Sequence, residues 1–185
     1  MKSSYKVIFS SVIASIAIVS VVYAFVVSVP PIAKGFYVQL TKSNNALQNF
    51  QHVDEVNCNG NQDFMFTNVV GNKDSYVVSL NDIPNGSLIT SITIVSCASK
   101  ISASITTSTI GIFYRYNGVD SFEHITSLNN VGTVPVVLQP TLFNNVNLIK
   151  EATSSLEIGI DYWGGGGGTA GAGVKLSQIY AKIAY

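Results

Sequence analysis

Charge is scarce in this chain. Of 185 residues, ten are Lys or Arg and ten are Asp or Glu, or 11%, against about 25% in an ordinary soluble domain. Formal net charge is zero, so no basic field exists to attract nucleic acid, which is excluded as a partner. Disorder is excluded as well, because 47% of the residues are hydrophobic while the net charge vanishes. Cysteine, histidine and methionine occur twice each and tryptophan once. Neither cysteine lies in a CxxC pair, which argues against zinc. No GxSxG elbow accompanies His52 or His124, so a Ser-His-Asp site with Asp54 or Asp120 has no support and no catalytic residue is assigned.

What the sequence does have begins with an apolar N-terminus. Lys2 and Lys6 are followed by no charge until Lys34. Residues 7–29 form a run of about 23, long enough to cross a hydrocarbon core of roughly 30 Å as a helix. Pro30 and Pro31 would end it. With lysines ahead of the run, this predicts a single-pass membrane protein with its C-terminal domain outside. Cleavage after Val22-Tyr23-Ala24, giving a secreted protein, is the alternative. The expected domains are an anchor or signal at 1–31, a stalk or first strand at 32–72, and a β-sandwich at 73–185.

Beyond Gly35 the pattern is that of strands. In "SLEIGIDY" Leu156, Ile158, Ile160 and Tyr162 share one face; Glu157, Gly159 and Asp161 share the other. "SYVVSL" and "IGIFYRY" alternate likewise, and turn residues such as Pro84-Asn85-Gly86 and Asn117-Gly118 separate the runs. This is the signature of an all-β antiparallel sandwich or barrel. The run Gly164–Gly168 lacks the GK[ST] of a phosphate loop and is followed by a strand pattern, so it reads as a hairpin loop.

The order of several pieces resembles a recurring jelly-roll β-sandwich module of phage structural proteins and microbial secreted or surface proteins, itself similar to carbohydrate-binding modules. The pieces are Asp82-Ile83-Pro84 with Gly86, Ile89, Ile92 and Ile94, then Tyr116-Asn117-Gly118, Leu156-Glu157-Ile158-Gly159-Ile160, and Gln178-Ile179-Tyr180 with Tyr185. The resemblance covers roughly residues 74–185 and implies a jelly roll. The chain lacks the tryptophan-rich segment often found before the Leu-Glu strand, and its tryptophan is Trp163. The resemblance carries over no ligand residue.

Candidate site residues follow from residue type. Tyr162 and Trp163, beside the glycine run, offer contact area, and Glu157 and Asp161 are the nearby carboxylates. Without a supporting motif, those carboxylates read as a solvated face rather than a glycosidase pair. Asp54, Glu55 and Asp63 lie in an oxygen-rich stretch whose ligand type suits a structural calcium ion, although EF-hand spacing is missing. No other cofactor is expected. In an oxidising compartment Cys58 and Cys97 would form a disulfide; two buried thiols is the other reading. Asn85-Gly86-Ser87 is a glycosylation sequon in a turn. Three function classes come into question: a membrane-anchored module for adhesion to a glycan or surface protein, a self-assembling structural subunit of a virion, filament or envelope layer, and an enzyme, which is not expected because no catalytic constellation emerges.

Overall fold

Strand pairing explains the alternation read from the sequence. The computed structural model describes residues 24–54, 57–58, 63–103, 108–164 and 173–185. In chain order the strands are β1 (Val26–Val29), β2 (Pro31–Val38), β3 (Thr41–Lys42), β4 (Met65–Thr67), β5 (Lys73–Val78), β6 (Leu88–Lys100) and β7 (Thr109–Tyr116). They continue with β8 (Val119–Asp120), β9 (His124–Ser127), β10 (Val136–Val137), β11 (Thr141–Ile149), β12 (Leu156–Gly164) and β13 (Val174–Ala184). A short 3₁₀ turn spans Asn49–His52.

Two antiparallel sheets result. One has β11 and β10 along one edge of β6, then β13, then β4 and β3, with β1 on the far part of β13. The other runs β2-β5-β12-β7, with β8 and β9 sharing the last edge. The principal orders, β4-β13-β6-β11 and β5-β12-β7-β9, with successive strands mostly changing sheet, are a jelly-roll connectivity. Inward side chains of both sheets make one core, including Ile92, Ile94, Ile158, Ile160, Ile179 and Ile183. Burying such side chains contributes about 1.5–3 kcal/mol each before conformational entropy is counted.

The N-terminal expectation is corrected here. Among the described residues no helix is long and apolar enough to cross a membrane. The end of the apolar run is a strand: Val26–Val29 pair antiparallel with residues 181–184 of β13. Phe25 and Tyr185 exchange both backbone hydrogen bonds at 3.0 Å. The physical reason is that β-branched valines suit a strand as well as an apolar helix, and β13 offers an edge whose backbone groups need partners. A span reaching Val29, and the single-pass localisation built on it, are therefore set aside. Residues 1–23, including Val22 and Tyr23, lie outside the described residues. Pro31–Val38 is an edge strand on β5 rather than a stalk. Cys58 and Cys97 are joined by a disulfide, with Cα atoms 5.6 Å apart.

Candidate functional site

The outer face of the six-stranded sheet is where charged and aromatic side chains gather. Register places them in three rows across β5, β12 and β7: Val77-Glu157-Arg115, Ser75-Gly159-Phe113 and Lys73-Asp161-Gly111. Two glycines shape the surface. A Cβ on Gly159 would strike the Asp74 carbonyl and the Phe113 ring, and one on Gly111 would strike the Glu123 carboxylate and the Trp163 indole nitrogen. Gly159 thus leaves room for Phe113 to lie flat across the sheet. Gly111 lets Glu123 reach Trp163, whose indole N–H donates to Glu123 Oε2 at 2.6 Å.

Strand β2 adds a second layer. Between Lys34 and Val38 its register slips against β5, and the bulge turns residues 35–37 over the face. Gly35 sits on Ser75 and Glu157, too close for any side chain. The Phe36 N–H donates to Glu157 Oε2 at 2.8 Å, and the Tyr37 N–H donates to Ser75 Oγ at 3.1 Å. The Tyr37 ring meets Phe113 edge to face, with centroids 5.8 Å apart. Its hydroxyl donates to Asp120 at 2.7 Å. Arg115 pairs with Asp120 at 2.5 Å and lies 4.4 Å from the Phe36 ring centroid.

Charge on this face is mutually held. Lys73 Nζ bridges Glu123 Oε1 at 2.5 Å and Asp161 Oδ2 at 3.2 Å. Burial lowers the Lys73 pKa, yet its bonds to the two carboxylates outweigh that and leave it raised. Burial pushes the Asp161 carboxyl up, offset in part by Lys73, and Asp161 Oδ1 is buried with no hydrogen-bond partner among the described residues. Burial also acts upward on Asp120, but the hydrogen bonds from Tyr37 and Arg115 prevail and lower its pKa.

Beneath the bulge, Asp74 fastens β2 to β5. Its Oδ1 accepts the Gln39 and Leu40 N–H groups at 2.8 and 3.2 Å, and its Oδ2 accepts the Tyr76 hydroxyl at 2.8 Å. The side chain is fully buried, and burial outweighs these donors, raising its pKa to about 6. The folded state therefore holds this proton where the unfolded chain has released it. Stability from this group is full below the unfolded value near 3.8, falls as pH rises through about 6, and is level above. The expected loss is up to about 3 kcal/mol. Asp74→Asn keeps an acceptor and should flatten that slope in thermal melts between pH 4 and 7. An unchanged slope in the variant would contradict this role.

The residues expected from sequence separate here. Trp163 is 54% exposed and stands on this face. Tyr162 is 1% exposed and points into the core with Leu156 and Ile158, so no ligand reaches it. Glu157 and Asp161 face outward, but not as a solvated pair: Asp161 is 7% exposed, and Glu157 also accepts the Ser75 hydroxyl at 2.6 Å. Asp54 lines one hollow with Cys58 of the disulfide and feels the charge of Asp63, and Glu55 is outside the described residues. Among the described residues no group of three His, Cys, Asp or Glu could hold a metal. Asn85 occupies an exposed turn, its Oδ1 accepting Lys150 Nζ at 2.8 Å, with Gly86 at φ 84°. Phe36, Tyr37, Lys73, Phe113, Arg115 and Glu123 were not singled out by sequence, and Asp120 was named there only as an unsupported partner for a histidine. For Phe113 and Arg115 a signal existed, since alternation in β7 puts them opposite the apolar set.

No family model matches the chain, and no curated protein does. Similar solved structures include the xylan-binding module CBM15, at 10% identity and TM-score 0.49, covering 87% of this chain and 97% of that one. The CBM36-1 domain of a multidomain xylanase from the hindgut metagenome of Trinervitermes trinervoides matches at 12% identity and TM-score 0.41, covering 86% and 96%. An arabinose-bound α-L-arabinofuranosidase matches at 10% identity and TM-score 0.43, covering 65% of this chain and 19% of that protein, so the chain spans about a fifth of its length. At TM-scores below 0.5 such likeness says nothing of ligand or chemistry.

Proposed function

We propose that the outer face of the six-stranded sheet is a saccharide-binding platform. One observation carries this reading: two aromatic rings, Trp163 at 54% exposure and Phe36 at 66%, stand on a single sheet face with fixed hydrogen-bonding groups between them. A pyranose presents an apolar C–H face and a rim of hydroxyls. The rings match the first, and carboxylate oxygens match the second as strong acceptors. Asp120, Glu123, Glu157 and Asp161 outnumber Lys73 and Arg115 there. The face therefore suits uncharged sugars and repels uronates.

The carboxylates are held by ion pairs and hydrogen bonds, which fits binding better than catalysis. Strand addition at β11 is disfavoured by its bulge between Asn144 and Leu148, where Asn145 and Asn147 have φ of 54° and 49°.

Trp163 is the sole tryptophan, so its fluorescence reports on this face. Titration with xylan, β-glucan and galactan, with polygalacturonate as the acidic comparison, should shift that emission for an uncharged polymer. Trp163→Ala should weaken the binding, followed by calorimetry, at least about tenfold while the melting temperature holds. If no uncharged polymer binds, or the variant binds as well as the parent, the platform reading is wrong.

A further inference from the structure

The opposite sheet carries a second concavity. It has a volume of about 420 Å³, walled by Val29, Pro30, Val95, Val137 and Tyr180 and bounded by Cys58 of the disulfide. Asp54 stands at its polar end. The backbone there is anchored: Asp54 forms a bridge with Gln178, and the Ile179 N–H donates to Val53 C=O at 2.9 Å. An apolar hollow of this size with a few placed polar groups is the usual form of a small-molecule site.

Electrostatics select the ligand. Burial raises the Asp54 pKa, the charge of Asp63 raises it further, and His52 pulls it down; no lysine or arginine contributes. Among the described residues the ion pairs all gather around Lys73 and Arg115 on the other sheet, and neither Asp54 nor Asp63 has such a partner. The carboxylate at the mouth is thus eased only by a backbone hydrogen bond and by His52, with no ion-pair partner among the described residues, and the wall beside it includes Tyr180, whose ring also favours a cation.

We infer that this concavity binds a small organic cation, a primary ammonium on an apolar body, with Asp54 taking the charge and the Val29, Val95 and Val137 side the body. The site is independent of the saccharide platform.

The test uses 2-phenylethylammonium and its neutral counterpart 2-phenylethanol, titrated by calorimetry and mapped by amide NMR shifts on the intact chain. The ammonium should bind about fivefold tighter than the alcohol, the size expected of a partly solvated ion pair. Shifts should centre on Val95, Val137 and Tyr180. Asp54→Asn should abolish that preference, and its unchanged melting temperature would show that the fold is intact. Val137→Trp, on an exposed strand, should fill the hollow and remove binding of both compounds. Equal affinity for the two compounds, absence of binding, a preference that survives Asp54→Asn, or shifts confined to the other sheet would each overturn the proposal.

Discussion

Ile158→Ala is expected to destabilise the domain by about 2–5 kcal/mol. Ile158 lies at the middle of β12, fully buried between the sheets and flanked by Tyr76 of β5 and Tyr114 of β7 in register. Truncation leaves a void that these side chains cannot close without leaving their own strands. For a domain with about 5–15 kcal/mol in hand, this is a large share. Urea denaturation should show it as a lowered midpoint with little change in slope. Its neighbour provides the contrast. Glu157→Ala removes the acceptor for the Ser75 hydroxyl and the Phe36 N–H. It should cost about 1–3 kcal/mol, because the Phe36 N–H lies at the surface but the Ser75 hydroxyl is 1% exposed and loses its acceptor. It should also loosen the bulge that presents Phe36, so saccharide affinity should fall by more than stability does. A silent Ile158→Ala together with a disruptive Glu157→Ala would mean that β12 is inverted.

Reducing the Cys58–Cys97 disulfide should have an effect of similar size. The bridge closes a loop with a sequence separation of 39, for which chain entropy gives about 4 kcal/mol. Cys97 is fully buried in β6, between β13 on one side and β10 on the other. The bridge therefore ties the segment leading to β4 onto the middle of a sheet. Denaturation with and without reductant, and of the Cys58→Ser, Cys97→Ala double variant, measures the contribution. Coincident midpoints would show that the loop is held by its other contacts, such as the buried Val53. Because the bridge borders the ammonium site, reduction should weaken that binding while leaving saccharide affinity unchanged.

Period-2 alternation alone determined β12: Leu156, Ile158, Ile160 and Tyr162 face the core. The same alternation already placed Tyr162 inside, where its residue type had made it a ligand candidate. Sheet-forming runs in β5 and β7 were legible for the same reason, as each residue's side is fixed by the pleat. The N-terminal run was not. Valine-rich stretches fit a membrane helix and a strand equally, and the decision at Val26–Val29 came from the open edge of β13, more than 150 positions away. The site was less legible still. Glu157 meets Phe36 across 121 residues, Ser75 across 82, and Glu123 meets Lys73 across 50 and Trp163 across 40. Sequence supplied the outward position of Glu157 and Asp161 but not what would cover them. A bulge in β2 and the approach of β9 turned two solvent-facing carboxylates into parts of a bonded surface, because jelly-roll connectivity brings distant strands side by side and local pattern carries no record of which ones.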